Sequence, residues 1–178
     1  VMKRVVLVEV EDVNSGMAFR VEVDGEHVAD VGRSLSSVGE YGFWPLDAYK
    51  DRFPYWERPR GGSVWSFILL VTEEFGGYYV EKGGKVSLDC TGEGVGFIVV
   101  NDDGTWAKQQ LGASYPQESP YHATVWETEE VAREHVDRFG GTVRALMDEP
   151  KLAAHQETLR KHWKDRREAR ASRRKEKE

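Results

Sequence analysis

Met17-Ala18-Phe19-Arg20-Val21-Glu22-Val23-Asp24-Gly25-Glu26-His27-Val28 is the stretch on which the fold turns. From Met17 to Asp24, apolar side chains alternate with charged ones, apart from Ala18. This is the period of two that lets a half-buried strand put one face on a core and the other in water. Asp24-Gly25 then interrupts it with the pair that best tolerates positive φ at both central positions of a type I′ hairpin. Met17, Phe19, Val21 and Val23 are therefore expected to point inward, with Arg20, Glu22 and Asp24 outward. Upstream, Val6, Val8 and Val10 alternate with charged Glu9 and Glu11 and are expected on the same core, after a turn at Asn14-Ser15-Gly16. With a third strand from about Glu26 to Val31, residues 3–31 read as a three-stranded antiparallel meander.

Outward from the meander the pattern loosens. Trp44-Pro45-Leu46 predicts a short helix through Phe53 with the proline in its first turn, and Pro54 and Pro59 stop regular structure after it. Gly61-Gly62-Ser63 leads into an apolar run, read as a buried strand over 64–71. Strands are expected near 77–81, 85–90 and 95–100, separated by Lys82-Gly83-Gly84-Lys85 and Thr91-Gly92-Glu93-Gly94. Asn101-Asp102-Asp103-Gly104 turns into a strand over Thr105–Gln109, and 112–120, with two prolines, reads as a loop. His122–Trp126 reads as a strand. Thr128 caps a helix whose apolar stripe is Val131, Ala132, His135, Val136 and Phe139, and Gly140-Gly141 ends it. Thr142–Met147 returns as a strand, and Asp148 caps a last helix starting near Pro150. The expected class is α+β: a mainly antiparallel sheet or small open barrel with one packed helix and a C-terminal basic helix. Residues 1–148 form the strand-rich domain in this reading, and 149–178 the helix with a solvated basic tail.

The chain has 178 residues, 39% of them hydrophobic and 31% charged, enough for a core without disulfides or metals as staples. No apolar run approaches the ~18 residues of a membrane span. Val1-Met2-Lys3-Arg4 runs directly into strand pattern, so no secretory signal is expected. Cys90 is the sole cysteine. A cytoplasmic location, or a virion for a phage-encoded protein, follows as the expectation. From His155 to Glu178 there are ten Lys and Arg against five Asp and Glu, a net of +5, so the rest of the chain carries −11 of the overall −6. An acidic body with a basic tail is a pattern in which the tail has a partner of its own.

Two segments carry the binding candidates. Eight of the twenty aromatic residues fall between Tyr41 and Trp65, interleaved with three arginines. Aromatic faces beside guanidinium groups stack rings, grip phosphates and make protein hot spots, so Trp44, Arg52, Tyr55, Trp56, Arg58 and Arg60 are the candidates there. Beyond Trp163 the only uncharged residues are Ala169, Ala171 and Ser172. Arg166, Arg167, Arg170, Arg173 and Arg174 are the candidates for contact with a nucleic acid or a protein partner.

Catalytic signatures are weak by comparison. Cys90 to Gly96 is rich in glycine but leads into Phe97-Ile98-Val99-Val100, a strand, whereas a phosphate loop must open a helix. His122-Ala123-Thr124 lacks the second His-x-Thr strand that such a phosphoesterase needs, and no histidine pair has metal spacing. Glu129-Glu130 suits a helix N-terminus, and Asp102-Asp103 suits a turn. No cofactor and no metal is expected. The function expected is non-catalytic binding or assembly, of the kind served by a phage or mobile-element accessory protein or a virion component. The alternatives are a small enzyme whose site gathers Glu73, His122 and Arg58, or a nucleic-acid-binding protein acting through its tail.

Overall fold

Val21 and Val23 settle which face of the meander is the core. In the computed structural model, which describes residues 2–12, 16–33, 41–53, 63–87 and 95–177, the chain is α+β and packs as two compact units, Val1–Tyr79 and Val80–Glu178. The first unit holds β1 (Lys3–Asp12), β2 (Gly16–Val23), β3 (Glu26–Arg33), β4 (Tyr41–Pro45), α1 (Val64–Phe75) and β5 (Gly77–Tyr79). Its sheet runs β4-β3-β2-β1-β5, antiparallel except for the β1–β5 pair. The expected meander is present. Its hairpin turns through Asp24 at φ 50° and Gly25 at φ 83°, and the Asp24 carboxylate accepts the Arg4 N–H at 2.7 Å.

One face assignment is reversed. Val5 lies opposite Val23 and Leu7 opposite Val21, while Val8 meets Arg20 and Val10 meets Ala18. Val5, Val21 and Val23 are buried, whereas Val8 and Val10 are each 39% exposed. The core set of β1 is thus Val5 and Leu7, and the valine row Val6, Val8 and Val10 turns outward. Val5-Val6-Leu7-Val8 is apolar on both faces, so its own period cannot choose between them; the register against β2 does.

The run at 64–71, expected as a strand, is instead the first two turns of α1. The Ser63 side chain accepts the Ser66 N–H at the N-terminus, and Gly76 closes the helix in the left-handed conformation at φ 64°. Phe67, Ile68, Val71 and Thr72 are buried, a spacing of one, three and one that makes a single helical face. Valine, isoleucine and aromatic content favours a strand locally, and packing overrides it. Phe43 from β4 stacks on Phe67 at 5.4 Å and meets Phe53 edge-on at 5.3 Å. The short helix expected from Trp44 begins later: Pro45 ends β4, and a 3₁₀ helix covers Asp47–Arg52.

The second unit contains β6 (Lys85–Val86), β7 (Phe97–Val100), β8 (Trp106–Gln110), β9 (Ala113–Gln117), β10 (Val125–Trp126), α2 (Glu129–Phe139), β11 (Thr142–Ala145) and α3 (Pro150–Lys177). The sheet order is β6-β10-β7-β8-β9, with β11 also on β7. Residues 112–120, expected as loop, contain β9. Leu111 and Gly112, at φ 51° and 75°, form the hairpin that pairs it with β8, and Pro116 is accommodated because β9 is an edge strand. Cys90 and the glycine-rich turn around it lie outside the described residues.

α2 starts as expected, with Thr128 Oγ1 accepting the Val131 N–H. Its Ala132 joins Val99, Ala107 and Trp126 in a buried cluster. The strand expected over 142–147 stops at Ala145 and passes into a 3₁₀ turn, Leu146–Asp148. Asp148 is therefore not the cap of α3. The first intrahelical bond, from Ala153 N–H, goes to the carbonyl of Glu149, with Pro150 in the first helical position.

Candidate binding surfaces

α3 is built in two halves. Leu152 and Gln156 are buried, His155 meets Tyr121 edge-on at 5.6 Å, and Leu159 and Trp163 are half-buried. Beyond Trp163 most side chains are exposed, but Arg167, Arg170 and Arg174 are half-buried and continue the same stripe. Arginine suits such positions because its methylenes lie against a surface, and at Arg174 the Nε is buried as well. Arg166 and Arg173 are exposed, and the guanidinium of Arg166 lies 5.5 Å from the Trp163 ring centre.

Helical geometry sorts these charges. At 3.6 residues per turn, Arg166, Arg167, Arg170, Arg173 and Arg174 fall within an arc of about 120°, centred on the face that carries Leu152. Asp165, Glu168 and Glu176 fall within about 80° on the opposite face, together with Lys161, Lys164 and Lys175. From Asp165 to Glu176 arginine faces one way, and lysine with carboxylate faces the other. A helix merely laced with surface ion pairs would mix both signs on every face. All five arginines singled out from the sequence are therefore brought together.

The aromatic loop is only partly described, and Tyr55, Trp56, Arg58 and Arg60 lie outside the described residues. Arg52 ends the 3₁₀ helix, exposed, with its guanidinium 4.6 Å from the Phe75 ring centre. Trp44 is on the outer face of the first sheet and is 38% exposed. Its indole covers glycine backbone: a Cβ at Gly42 would collide with the ring, and one at Gly32 would come to 3.4 Å from it. Gly32 and Gly42 are register partners, and Asp30 faces Trp44 in the next row, so two neighbouring strands form a platform for the ring. The glycine two residues before Trp44 on one strand was the sequence signal for this arrangement.

The members of the scattered enzyme set fall in different parts of the chain. Glu73 is buried in α1 of the first unit. His122 belongs to the second unit, in an exposed 3₁₀ turn, Pro120–His122, rather than on a strand. Arg58 is outside the described residues.

A histidine that the sequence placed only in an apolar stripe proves chemically more distinctive. His135 is 5% exposed, packed 4.9 Å from Trp126 and 4.8 Å from Phe139 by ring centres, with Nε2 3.1 Å from Ser114 Oγ. Burial, then Arg138 and Lys85, push its pKa down. Its Nδ1 is buried without a hydrogen-bond partner. A buried unpaired N–H is rarer and costlier than a bare lone pair, so the neutral ring carries its hydrogen on Nε2 and donates it to Ser114. A serine that accepts from histidine is not being activated by it, and Nδ1 has no carboxylate to orient the ring. In that tautomer the bond serves packing, tying α2 to β9.

Among the described residues no group of three or more His, Cys, Asp and Glu side chains could hold a metal ion, and no helix is long and apolar enough to cross a membrane. Comparison with protein-family models, with curated proteins and with solved structures gives no match.

Proposed function

We propose that this chain is a non-catalytic binding protein that engages an anionic macromolecule along the arginine face of α3. The observation that carries the reading is the sorting of charge around that helix, with five arginines on one arc and the carboxylates opposite. Guanidinium groups bind phosphate and carboxylate in two-pronged fashion, so a row of them recognises a polyanion better than lysines would. Trp44 on its glycine platform and the exposed Arg52 are the other described candidates for contact, and a role as an accessory or assembly component, in the cytoplasm or a virion, belongs to the same proposal. Nucleic acid is the favoured partner class, because its phosphates recur along a strand as the guanidinium groups recur along this arc.

Fluorescence anisotropy with labelled duplex DNA, single-stranded DNA and polyglutamate tests this. Binding of nucleic acid is expected to weaken at least about tenfold between about 50 mM and 200 mM salt, as phosphate contacts release counterions. Arg166→Glu with Arg173→Glu, both at exposed positions, should abolish it. Nucleic-acid binding that ignores salt, or that survives the double reversal, contradicts the proposal. Preference for polyglutamate would move the partner to an acidic protein.

A further inference from the structure

β1 is apolar on both faces. Val5 and Leu7 belong to the core that Phe67 and Val71 of α1 share. On the other face, Val8 and Val10 each keep 39% of their surface exposed. An antiparallel sheet with one face in water alternates apolar and polar side chains, whereas a strand covered on both sides does not. Trp44 is on the same outer face, 38% exposed.

The register fixes what lies beside these side chains. From β1 to β4, one row across the outer face reads Val8, Arg20, Asp30 and Trp44. In the row on one side, Val10 and Ala18 lead to the two glycines that the Trp44 indole covers. In the row on the other side, Glu22 lies next to His27. Arg20 is exposed, and the Asp30 carboxylate accepts from His27 Nε2 at 2.8 Å.

This pattern is complementary to itself. Turned by 180° about an axis that runs along the strands between β2 and β3, the face meets a second copy with each feature opposite its match. Arg20 of either copy faces Asp30 of the other, and Glu22 faces His27. Val8, Val10 and Ala18 face the Trp44 indole and the backbone it covers. An axis running across the strands through the same row would instead set Arg20 against Arg20 and Asp30 against Asp30, so the charges select the first arrangement. Sheets packed face to face stand about 10 Å apart, a gap that side chains of these sizes fill. We propose that the outer face of the first sheet is a contact between two copies of this chain, oriented by the Arg20–Asp30 pairs across it. Four strands by three rows make a patch smaller than a standard interface, so dissociation is expected in roughly the micromolar range. The contact is separate from the arginine face of α3 and stands or falls independently of it.

Sedimentation equilibrium of the full chain up to about 200 μM, a range suited to so small a patch, should show monomer and dimer in exchange. Val8→Glu, at an exposed position, should leave the thermal midpoint within a few degrees and the chain monomeric. Arg20 and Asp30 are also neighbours within one chain, and reversing each charge separates the two kinds of pair. Arg20→Asp sets carboxylates against each other across the axis, and Asp30→Arg does the same with guanidinium groups. Each variant alone should associate at least about tenfold more weakly than the original. Mixed in equal amounts, the two should dimerise again, because every reversed charge then faces its opposite in the other variant. A pair confined to one chain could not be restored by mixing. The proposal is overturned if the original chain is monomeric throughout, if Val8→Glu or either reversal dimerises as before, or if the mixture associates no more than its components.

Discussion

Gly42 and Trp44 share one face of β4, and the ring of the second covers the backbone of the first. An aromatic side chain laid over a strand glycine repairs the loss of packing that glycine brings to a sheet. Gly42→Ala should therefore cost about 1–3 kcal/mol, since the new methyl must lift the indole. In a denaturant-melting cycle, adding Trp44→Ala should remove most of that penalty, because the clash then has no partner; full additivity would mean that the ring is not where the penalty arises. His135 gives a second expectation at this scale. Its folded pKa lies below the ordinary value of 6.5, through burial and the nearby Arg138 and Lys85. Between those two values the unfolded chain takes up a proton that the folded chain refuses. Stability is thus intact above pH 6.5 and falls as the pH is lowered toward the folded pKa, below which no further loss arises from this group. His135→Leu should flatten that part of the pH profile, and an unchanged slope would exclude His135 as its source. Neither arrangement was fully legible beforehand: the sequence flagged Trp44 and put His135 on an apolar stripe, but Gly32, Trp126 and Ser114, which complete them, come from other strands.

Among the elements, α1 shows where local pattern runs out. Val64 to Val71 contains two valines, an isoleucine and two aromatics, and a short apolar run of this kind does not distinguish a buried strand from a buried helix. Its ends did carry the answer, in Ser63 as cap and Gly76 as left-handed stop. Ser63→Ala should accordingly lower stability by about 1 kcal/mol, measurable by thermal or urea unfolding. No effect would mean that packing alone holds the first turn. α2 was read correctly because polar residues separate its apolar ones, so both cap and period were visible. For α3, truncation after Lys164 removes exposed residues and three half-buried arginines but leaves Leu152 and Gln156 in place. Its expected cost is within about 1 kcal/mol, the usual limit for solvated charge contacts. A loss of several degrees in the midpoint would show that the arginine stripe is an integral part of the packing.

At the scale of the molecule, the class and the meander were readable from alternation, and the charge division was readable from counting. The partition into units at Tyr79 and Val80 was not, since it depends on which strands pair rather than on composition. The same charge count has an acid consequence: with a sequence isoelectric point near 5.5, the chain loses its net repulsion in the range where His135 begins to weaken the fold. Turbidity should peak around pH 5.5 and recede on either side; a flat profile would show that local charge, not net charge, keeps the molecules apart. The sheet borders bear on this too. β5 and β6 are three and two residues long, while β4 and β9 contain Pro45 and Pro116. Proline supplies no N–H, and so short a strand offers little to extend, so these four margins are poor templates for another chain's backbone. Recruitment by strand addition is thereby discouraged at these four margins, and among the described strands it is left to β11, which pairs only with β7.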